Sequence, residues 1–279
     1  MQYKSVNNIT NPLSDPSSWM GESDTPLKGF TVKTLYRNDG FGLIMWSDVF
    51  LYDKPDGEKI AIVLMKTEGL FDDETSDAIN SKIFALGTLL SSVQVFNIFS
   101  KVTDNQLACL EFATEHAQFG GTSFQKLMFL IRDWNSTDLF DFGAVGGENY
   151  TNQFLTVLPS HKPEMKSIRR FIRSSFSKVE CYLMPYPGKV VARSRRYDGE
   201  WSKMDEDFLT EFNKVIPSLL DPANLVVKKI NGIEMTSSSF NQLLQSPDET
   251  VTITSVDEYL LSVIEQYTKM HNEKLLLKV

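Results

Sequence analysis

The sequence predicts an α/β fold with three layers, in which a mostly parallel sheet is flanked by helices. Short apolar runs of strand length alternate along the chain with stretches whose apolar residues recur at helical spacing. The run Leu127–Ile131 is apolar throughout, as expected of a buried parallel strand, and it leads directly into Arg132-Asp133. With 279 residues, of which 42% are hydrophobic and 11% aromatic, the chain can bury a full globular core.

Five segments are predicted to form the strands of this sheet, because each is a short apolar run of strand length. They are Val49–Tyr52, Ile60–Met65, Val93–Phe96, Leu127–Ile131 and Cys181–Met184. Ligands of open α/β sheets bind outside the carboxyl ends of the strands. Arg132 and Asp133 therefore stand where a binding site is expected.

Four helices are predicted between or after these strands, and two more in a C-terminal extension. The first four are Asp72–Thr88, Asn105–Phe119, Glu164–Phe176 and Asp205–Leu219. The other two are Ser238–Leu244 and Val256–His271. Pro217 is expected to end the helix in which it lies, or to stand close to its end.

For two of these helices the sequence predicts which residues face the core. In Asp72–Thr88 the residues expected to face the sheet are Ala78, Phe84 and Ala85. In Asn105–Phe119 the expected apolar side consists of Leu107, Leu110 and Phe112. Asp104 precedes that helix and is placed to cap it.

The formal charge of −8 and the pI near 5.0 argue against broad nucleic-acid binding, which requires a basic face. One basic stretch is an exception, and its Lys166, Arg169, Arg170 and Arg173 recur at helical spacing. We expect these side chains to form a solvated helix face rather than a phosphate-binding stripe.

The cysteines, the histidines and the lengths of the apolar runs argue against disulfides, metal sites and membrane spans. Cys109 and Cys181 lie in apolar stretches and are predicted to be buried, reduced thiols of a cytoplasmic protein. The histidines share no metal-ligand spacing with each other or with the cysteines, so we expect no metal site. No run approaches the roughly 18 apolar residues of a membrane span, so we expect no membrane insertion by this chain.

A series of short motifs occurs in one order along most of the chain. It includes Pro26-Leu27-Lys28-Gly29-Phe30, Trp46-Ser47-Asp48, Ser91-Ser92-Val93-Gln94-Val95-Phe96-Asn97, Phe129-Leu130-Ile131-Arg132-Asp133-Trp134 and Pro185-Tyr186-Pro187-Gly188. From about Trp19 to about Met235 the chain thereby resembles the GTPase domain of atlastins, membrane-anchored relatives of the guanylate-binding proteins in the dynamin superfamily. The resemblance implies a polar segment at 1–18, an atlastin-like G domain at 19–235 and a helical extension at 236–279.

The sequence departs from this family where the family holds phosphate and metal. The P-loop motif G-x-x-x-x-G-K-[ST] does not occur, and the strand that precedes it in the family, at the centre of the sheet, is expected to be missing. Lys66 replaces the aspartate that holds the magnesium shell in the family, so we expect no magnesium binding. The stretch 38–42, which matches switch I, contains no threonine. An N-terminally incomplete version of a longer protein is one expectation that follows.

The resemblance assigns the remaining site residues. Arg132 and Asp133 match the pair that recognises guanine, and Val191 and Ser194 match positions in the loop that covers the base. Ser194 replaces the asparagine usual there. Two further matches lie in switch II, namely Glu68, which replaces a glutamine, and Gly69, which is retained.

The expected function is that of an atlastin-like G domain that is incomplete or catalytically degenerate. Guanine nucleotide would bind weakly, and GTP hydrolysis would be lost because the phosphate cradle and the metal ligand are absent. The alternative is a non-catalytic interaction module that pairs, as a homodimer or heterodimer, with an intact atlastin-like G domain. Either version would be cytoplasmic, reaching the surface of the endoplasmic reticulum through a partner.

Overall fold

The structure is a computed structural model that describes residues 2–5, 23–26, 42–46, 48–68, 77–117, 124–230 and 232–244. Its strands are β1 (Gln2–Ser5), β2 (Gly42–Met45), β3 (Asp48–Asp53), β4 (Lys59–Ile62), β5 (Met65–Glu68), β6 (Val93–Phe99), β7 (Phe124–Arg132), β8 (Phe176–Leu183), β9 (Lys229–Ile230) and β10 (Ile233–Glu234). Its helices are α1 (Asp77–Leu90), α2 (Asp104–Ala117), α3 (Gly143–Phe154), α4 (Pro163–Ser175), α5 (Lys189–Arg193), α6 (Glu206–Leu220) and α7 (Ser237–Leu244). The helix predicted at Val256–His271 lies outside the described residues.

The centre of the fold is a parallel sheet of three strands in the order β6-β7-β8. The middle strand, β7, places Leu127, Phe129 and Ile131 on one face and Met128 on the other, all of them buried. A strand covered on both faces has no need of polar alternation, which is why its sequence is a continuous apolar run. The predicted central strands are confirmed, and each is longer than its apolar run.

Helices cover both faces of this sheet, so the predicted three layers are confirmed. On one face the core joins residues of α1, α2, α3 and α4 to β6, β7 and β8, with Phe84 at 1% exposure and Phe129 at 0% in direct aromatic contact with Phe96. On the other face α6 packs against β7 and β8 through Val215 and Met128. The buried aromatic and aliphatic side chains on both faces stabilise the layers by roughly 1.5–3 kcal/mol each.

The segment Ile60–Met65 does not form one strand, so that prediction was wrong. A turn at 54–58 returns the chain, and β4 pairs with β3 in a sheet that also contains β1. The chain then leaves that sheet, and β5 pairs antiparallel with β2 instead. The tight turn fixes the register of β4, whereas the partner of β5 comes from a distant part of the chain.

Strand β6 lies at the edge of the central sheet within the described part of the chain, where β7 is its only partner. Two apolar side chains of β6 are also exposed to solvent, Val95 by 39% and Phe99 by 62%. No described strand pairs with the other side of β6, and β4 and β5 belong to other sheets. Within the described residues, this edge of β6 therefore has backbone donors and acceptors without strand partners.

The start of α2 differs from the prediction. Thr103, not Asp104, caps the helix: its Oγ1 accepts a hydrogen bond from the Gln106 backbone N–H, and the Gln106 side chain accepts one from the Thr103 backbone N–H. Leu107 and Leu110 are buried as predicted, but Phe112 is 45% exposed. Two residues beyond Leu110, Phe112 points about 200° away around the helix, so it cannot share that face.

Helix α3 was absent from the sequence prediction. Its sequence, Gly-Ala-Val-Gly-Gly-Glu-Asn-Tyr-Thr-Asn-Gln-Phe, is rich in residues with low helix propensity. A Cβ placed on Gly147 would lie 2.1 Å from the Cys181 carbonyl oxygen of β8, and one on Gly146 would lie 1.7 Å from the Asp141 carbonyl oxygen. Gly147 lets this helix lie directly on the backbone of β8, and Gly146 lets the preceding loop approach closely, so packing outweighs propensity here.

The basic stretch in α4 is not a uniformly solvated face, so this prediction was wrong for Arg169. Its side chain is buried and donates hydrogen bonds to the Phe154 carbonyl oxygen at 2.8 Å and to Asp104 at 2.7 Å. Arg170 is exposed, as predicted. Sequence spacing could not distinguish them, because Arg169 fills a position facing the ends of α2 and α3.

Candidate functional site

Because β6, β7 and β8 are parallel, their carboxyl ends share one edge of the sheet. Three segments leave this edge: Ser100 follows β6, Asp133 follows β7, and residues 184–194 follow β8. The structure thus brings the matched pair Arg132 and Asp133 to the same edge as the loop that holds Val191 and Ser194. We call this surface the carboxyl edge.

Asp133 has a left-handed backbone conformation, with φ of 57°. Backbone hydrogen bonds hold the residues on either side of Asp133. The Arg132 carbonyl oxygen accepts from the Ser100 N–H at 2.8 Å, and the Trp134 N–H donates to the Met184 carbonyl oxygen at 2.9 Å. Such a conformation costs about 1–3 kcal/mol outside glycine and persists only where the surroundings impose it. Here the hydrogen bonds to β6 and to the end of β8 impose it.

The Asp133 carboxylate is half-buried and has no hydrogen bond or ion pair with any residue that the structure describes. A carboxylate can accept several hydrogen bonds at its two oxygens, and this one retains that capacity for a ligand. Its strained backbone and unused acceptors make Asp133 the strongest candidate for a binding residue on the carboxyl edge.

Arg132 and Ser100 complete this corner of the site. The Arg132 guanidinium lies 5.5 Å from the ring centroid of Phe99, a cation–π contact across the paired ends of β6 and β7. Ser100 also has a left-handed backbone, with φ of 64°. Sequence reasoning missed Phe99 and Ser100, because only the strand register reveals that they adjoin the Arg132-Asp133 pair.

An aromatic cluster supports the loop that follows Asp133. Trp134 is buried against Tyr150 of α3, with ring centroids 4.8 Å apart, and its Nε1–H donates to the Phe140 carbonyl oxygen at 2.9 Å. The Tyr150 hydroxyl accepts from the Val102 backbone N–H at 3.0 Å, and burial raises the pKa of this phenol. These contacts join the ends of β6 and β7 to α3 and so limit the movement of Asp133.

The loop after β8 carries the other two matched residues. Val191 is half-buried within α5, and Ser194 is exposed just after it. The Ser194 Oγ accepts from the Arg196 backbone N–H at 3.2 Å, so this hydroxyl supports the loop itself. Gly188, at φ of 107°, starts the helix where a Cβ would lie 2.5 Å from the Asp205 carboxylate.

Of the switch II candidates the structure fully describes only Lys66, which it places in a different sheet from Asp133. Lys66 and Glu68 belong to β5, in the separate sheet with β2, and Gly69 lies outside the described residues, as does the side chain of Glu68. Lys66 is half-buried. An ammonium cannot ligate magnesium, so the residue at the position of the expected aspartate does not fit that ion.

The comparison with known proteins decides the family. Residues 16–229 match the family described as guanylate-binding protein, N-terminal domain. The chain belongs to the guanylate-binding protein family. It is 38% identical over 237 residues to atlastin from Drosophila melanogaster, 37% over 228 residues to atlastin-2 from Xenopus laevis and 35% over 223 residues to atlastin-1 from Bos taurus.

These matches confirm the resemblance on which the site residues were assigned. They cover 83%, 80% and 78% of the chain but only 44%, 40% and 40% of the three relatives. The chain therefore spans less than half the length of these atlastins. Its homology is to the GTPase domain of the family within the dynamin superfamily.

The described residues also bear on membrane spans and metal sites. None of their helices combines the length and apolar character that crossing a membrane requires. Among the same residues, no group of three or more His, Cys, Asp and Glu side chains is placed to hold a metal ion.

Proposed function

We propose that this chain is an atlastin-like G domain that recognises the guanine base through Asp133 and does not hydrolyse GTP at a useful rate. The observation that supports it is the Asp133 carboxylate, held in a left-handed turn at the carboxyl edge without a partner among the described residues. Guanine offers two donors on one edge, N1–H and the exocyclic amine, and a carboxylate can accept both. Adenine lacks that pair of donors.

We expect no GTP hydrolysis because the sequence lacks residues that bind the phosphates and magnesium in this family. The 279 residues contain no G-x-x-x-x-G-K-[ST] motif, and Lys66 stands where the family has a magnesium-holding aspartate. Phosphoryl transfer relies on a backbone cradle, a lysine and a metal to neutralise developing charge. Without them we expect weak nucleotide binding that does not depend on magnesium.

Equilibrium binding of a fluorescent GTP analogue, with GDP and ATP as competitors, tests this proposal. We expect GDP to compete, ATP not to compete, and magnesium to have no effect. Asp133→Ala should weaken binding by roughly 10- to 150-fold, because it removes charge-assisted hydrogen bonding worth about 1.5–3 kcal/mol in total. Asp138→Ala, which removes an exposed aspartate from the turn that follows, should change nothing.

Equal competition by ATP, or unchanged affinity in Asp133→Ala, would refute guanine recognition at this residue. Hydrolysis is measured separately, as phosphate release over several hours. Release that exceeds the buffer rate and is abolished by a chelator would contradict the proposed loss of activity.

A second candidate function is the interaction module. Much of the exposed apolar surface lies in segments that leave the carboxyl edge, with Phe99 at 62%, Leu139 at 65% and Val145 at 74% exposure. Large exposed apolar side chains near one edge are typical of a surface that a partner covers. We propose an intact atlastin-like G domain as that partner, which would bring the chain to the endoplasmic reticulum.

Co-sedimentation with an intact atlastin tests this second function. We expect pairing that is lost in Leu139→Ser/Val145→Ser and kept in Phe112→Ser, which removes an exposed apolar residue from α2. Monomeric behaviour in the presence of the intact relative would exclude it.

A further inference from the structure

The loop after β8, which also holds Val191 and Ser194, carries a concentration of positive charge. Residues 189–196 contain four cations, although the formal charge of the whole chain is −8. They are Lys189, Arg193, Arg195 and Arg196. We call residues 189–196 the basic loop. A cluster of this sign stands out on a protein that is acidic as a whole.

The four cations of the basic loop are exposed and make no ion pair with any residue that the structure describes. Two acidic residues follow the loop: Asp198 is exposed and forms no ion pair with any described residue, and Glu200 is paired with Lys203 instead. Lys189 and Arg193 are four residues apart on α5, so two like charges share one helix face. That arrangement destabilises an isolated helix and becomes favourable when an anion lies against it.

The basic loop is held together by its own backbone. The Ala192 N–H donates to the Gly188 carbonyl oxygen at 3.1 Å, and the Ser194 N–H donates to the Val190 carbonyl oxygen at 3.1 Å. Residues 192–196 are nevertheless all exposed. The loop therefore projects its cations into solvent as one unit.

Apolar side chains accompany these charges. Val190 is 46% exposed and Tyr186 is 38% exposed, both within the same stretch of chain. Cations mixed with exposed aliphatic and aromatic side chains are typical of surfaces that rest on the headgroup region of anionic membranes. There the cations meet lipid phosphates and carboxylates while the apolar groups enter the boundary of the acyl chains.

We propose that the basic loop is a peripheral binding site for anionic lipid surfaces. The acidic remainder of the chain would be repelled by such a surface, so the loop sets the orientation in which the protein approaches. The proposal goes beyond guanine recognition, since it rests on the four cations and not on Val191 and Ser194, the two residues of the same loop that are assigned to the base.

Vesicle flotation of the full 279-residue chain tests the proposal, with phosphatidylcholine vesicles that contain or lack phosphatidylserine. We expect binding only when phosphatidylserine is present. Raising the salt from about 0.1 M to about 1 M should abolish it, because the Debye length falls from about 10 Å to about 3 Å.

Charge variants place the effect on the loop. Arg195→Gln/Arg196→Gln should lower partitioning about 25-fold, since each cation near an anionic surface contributes roughly fivefold. Lys162→Gln/Arg170→Gln removes the same charge from exposed positions of and beside α4 and should leave partitioning unchanged. Arg195→Lys/Arg196→Lys keeps the charge and should retain binding. Circular dichroism melting of each variant verifies folding.

Three results would overturn the proposal. The first is no binding to phosphatidylserine vesicles by the folded chain. The second is equal loss in the loop variant and in the control variant. The third is vesicle binding displaced by millimolar inorganic phosphate or by an intact atlastin G domain at low salt, which would identify a free anion or an acidic protein surface as the ligand.

Discussion

Gly147→Ala tests whether the close contact of α3 with β8 holds the wall of the candidate site. The new Cβ would lie 2.1 Å from the Cys181 carbonyl oxygen, whereas ordinary contact begins at about 3.4 Å. The clashing atom belongs to the backbone of the central sheet, so it cannot rotate away. The helix must therefore move by about 1.3 Å.

The expected cost follows from these distances. Overpacking of a dense core costs about 1–3 kcal/mol, and more where backbone must shift. Alanine gains about 1 kcal/mol over glycine in helix propensity, which offsets part of that cost. We expect a net loss of about 2 kcal/mol in the free energy of unfolding, and weaker guanine binding because Trp134 and Tyr150 move with α3.

Urea denaturation followed by circular dichroism measures this loss. The matched control is Gly87→Ala in α1, where the new Cβ would meet the Gln94 and Thr67 side chains at 3.6 Å, an ordinary contact. That variant should gain about 0.5–1 kcal/mol, since only the helix propensity term remains. If Gly147→Ala is as stable as the parent or as Gly87→Ala, the helix does not lie on the sheet backbone as described.

Three further predictions concern buried groups. Arg169→Met should cost about 2 kcal/mol in urea denaturation, because two backbone carbonyls lose a charged donor, whereas Arg170→Met should stay within about 0.5 kcal/mol. Burial lowers the pKa of Lys228 from 10.5 to about 8, so the unfolded chain binds more protons within that window and the free energy of unfolding should rise as pH increases through it. Lys228→Met should abolish this rise, and an equal rise in the variant would assign it to another group. Burial raises the pKa of the Cys181 thiol from 9.0 to about 12, so its alkylation followed by mass spectrometry should be about a thousandfold slower in the folded chain than in urea, and comparable rates would contradict its burial.

The strands of the central sheet were predictable because a strand buried on both faces consists largely of apolar residues. β7 is the clearest case, since its apolar run can belong only to a covered strand or a buried helix and its length favours the strand. The family motifs were equally readable, and they placed Arg132 and Asp133 at the end of this strand before any geometry was known.

Other elements could not be predicted, for reasons that particular residues make plain. Helix α3 has a sequence of low helix propensity, and its Gly147 is favourable only because the backbone of β8 lies against it. Arg169 and Arg170 are adjacent residues of the same type. Only Arg169 is buried, because the start of α2 and the end of α3 lie beside it. In Ile60–Met65 the apolar run was correctly recognised as extended chain, but its division between two sheets depends on β2, which is not adjacent to β5 in the chain.

The sequence by itself determined the family, the three-layer class and the chemistry available at the carboxyl edge, because these depend on residue types and their order. Only the tertiary structure decided that Asp133 has a left-handed backbone and that Arg132 lies over Phe99. Only the structure, too, showed that among the described residues neither the Asp133 carboxylate nor the cations of the basic loop have an ion-pair partner. The first two features depend on groups distant in sequence. The hydrogen bonds that hold Asp133 come from β6 and the end of β8, and no local pattern encodes them.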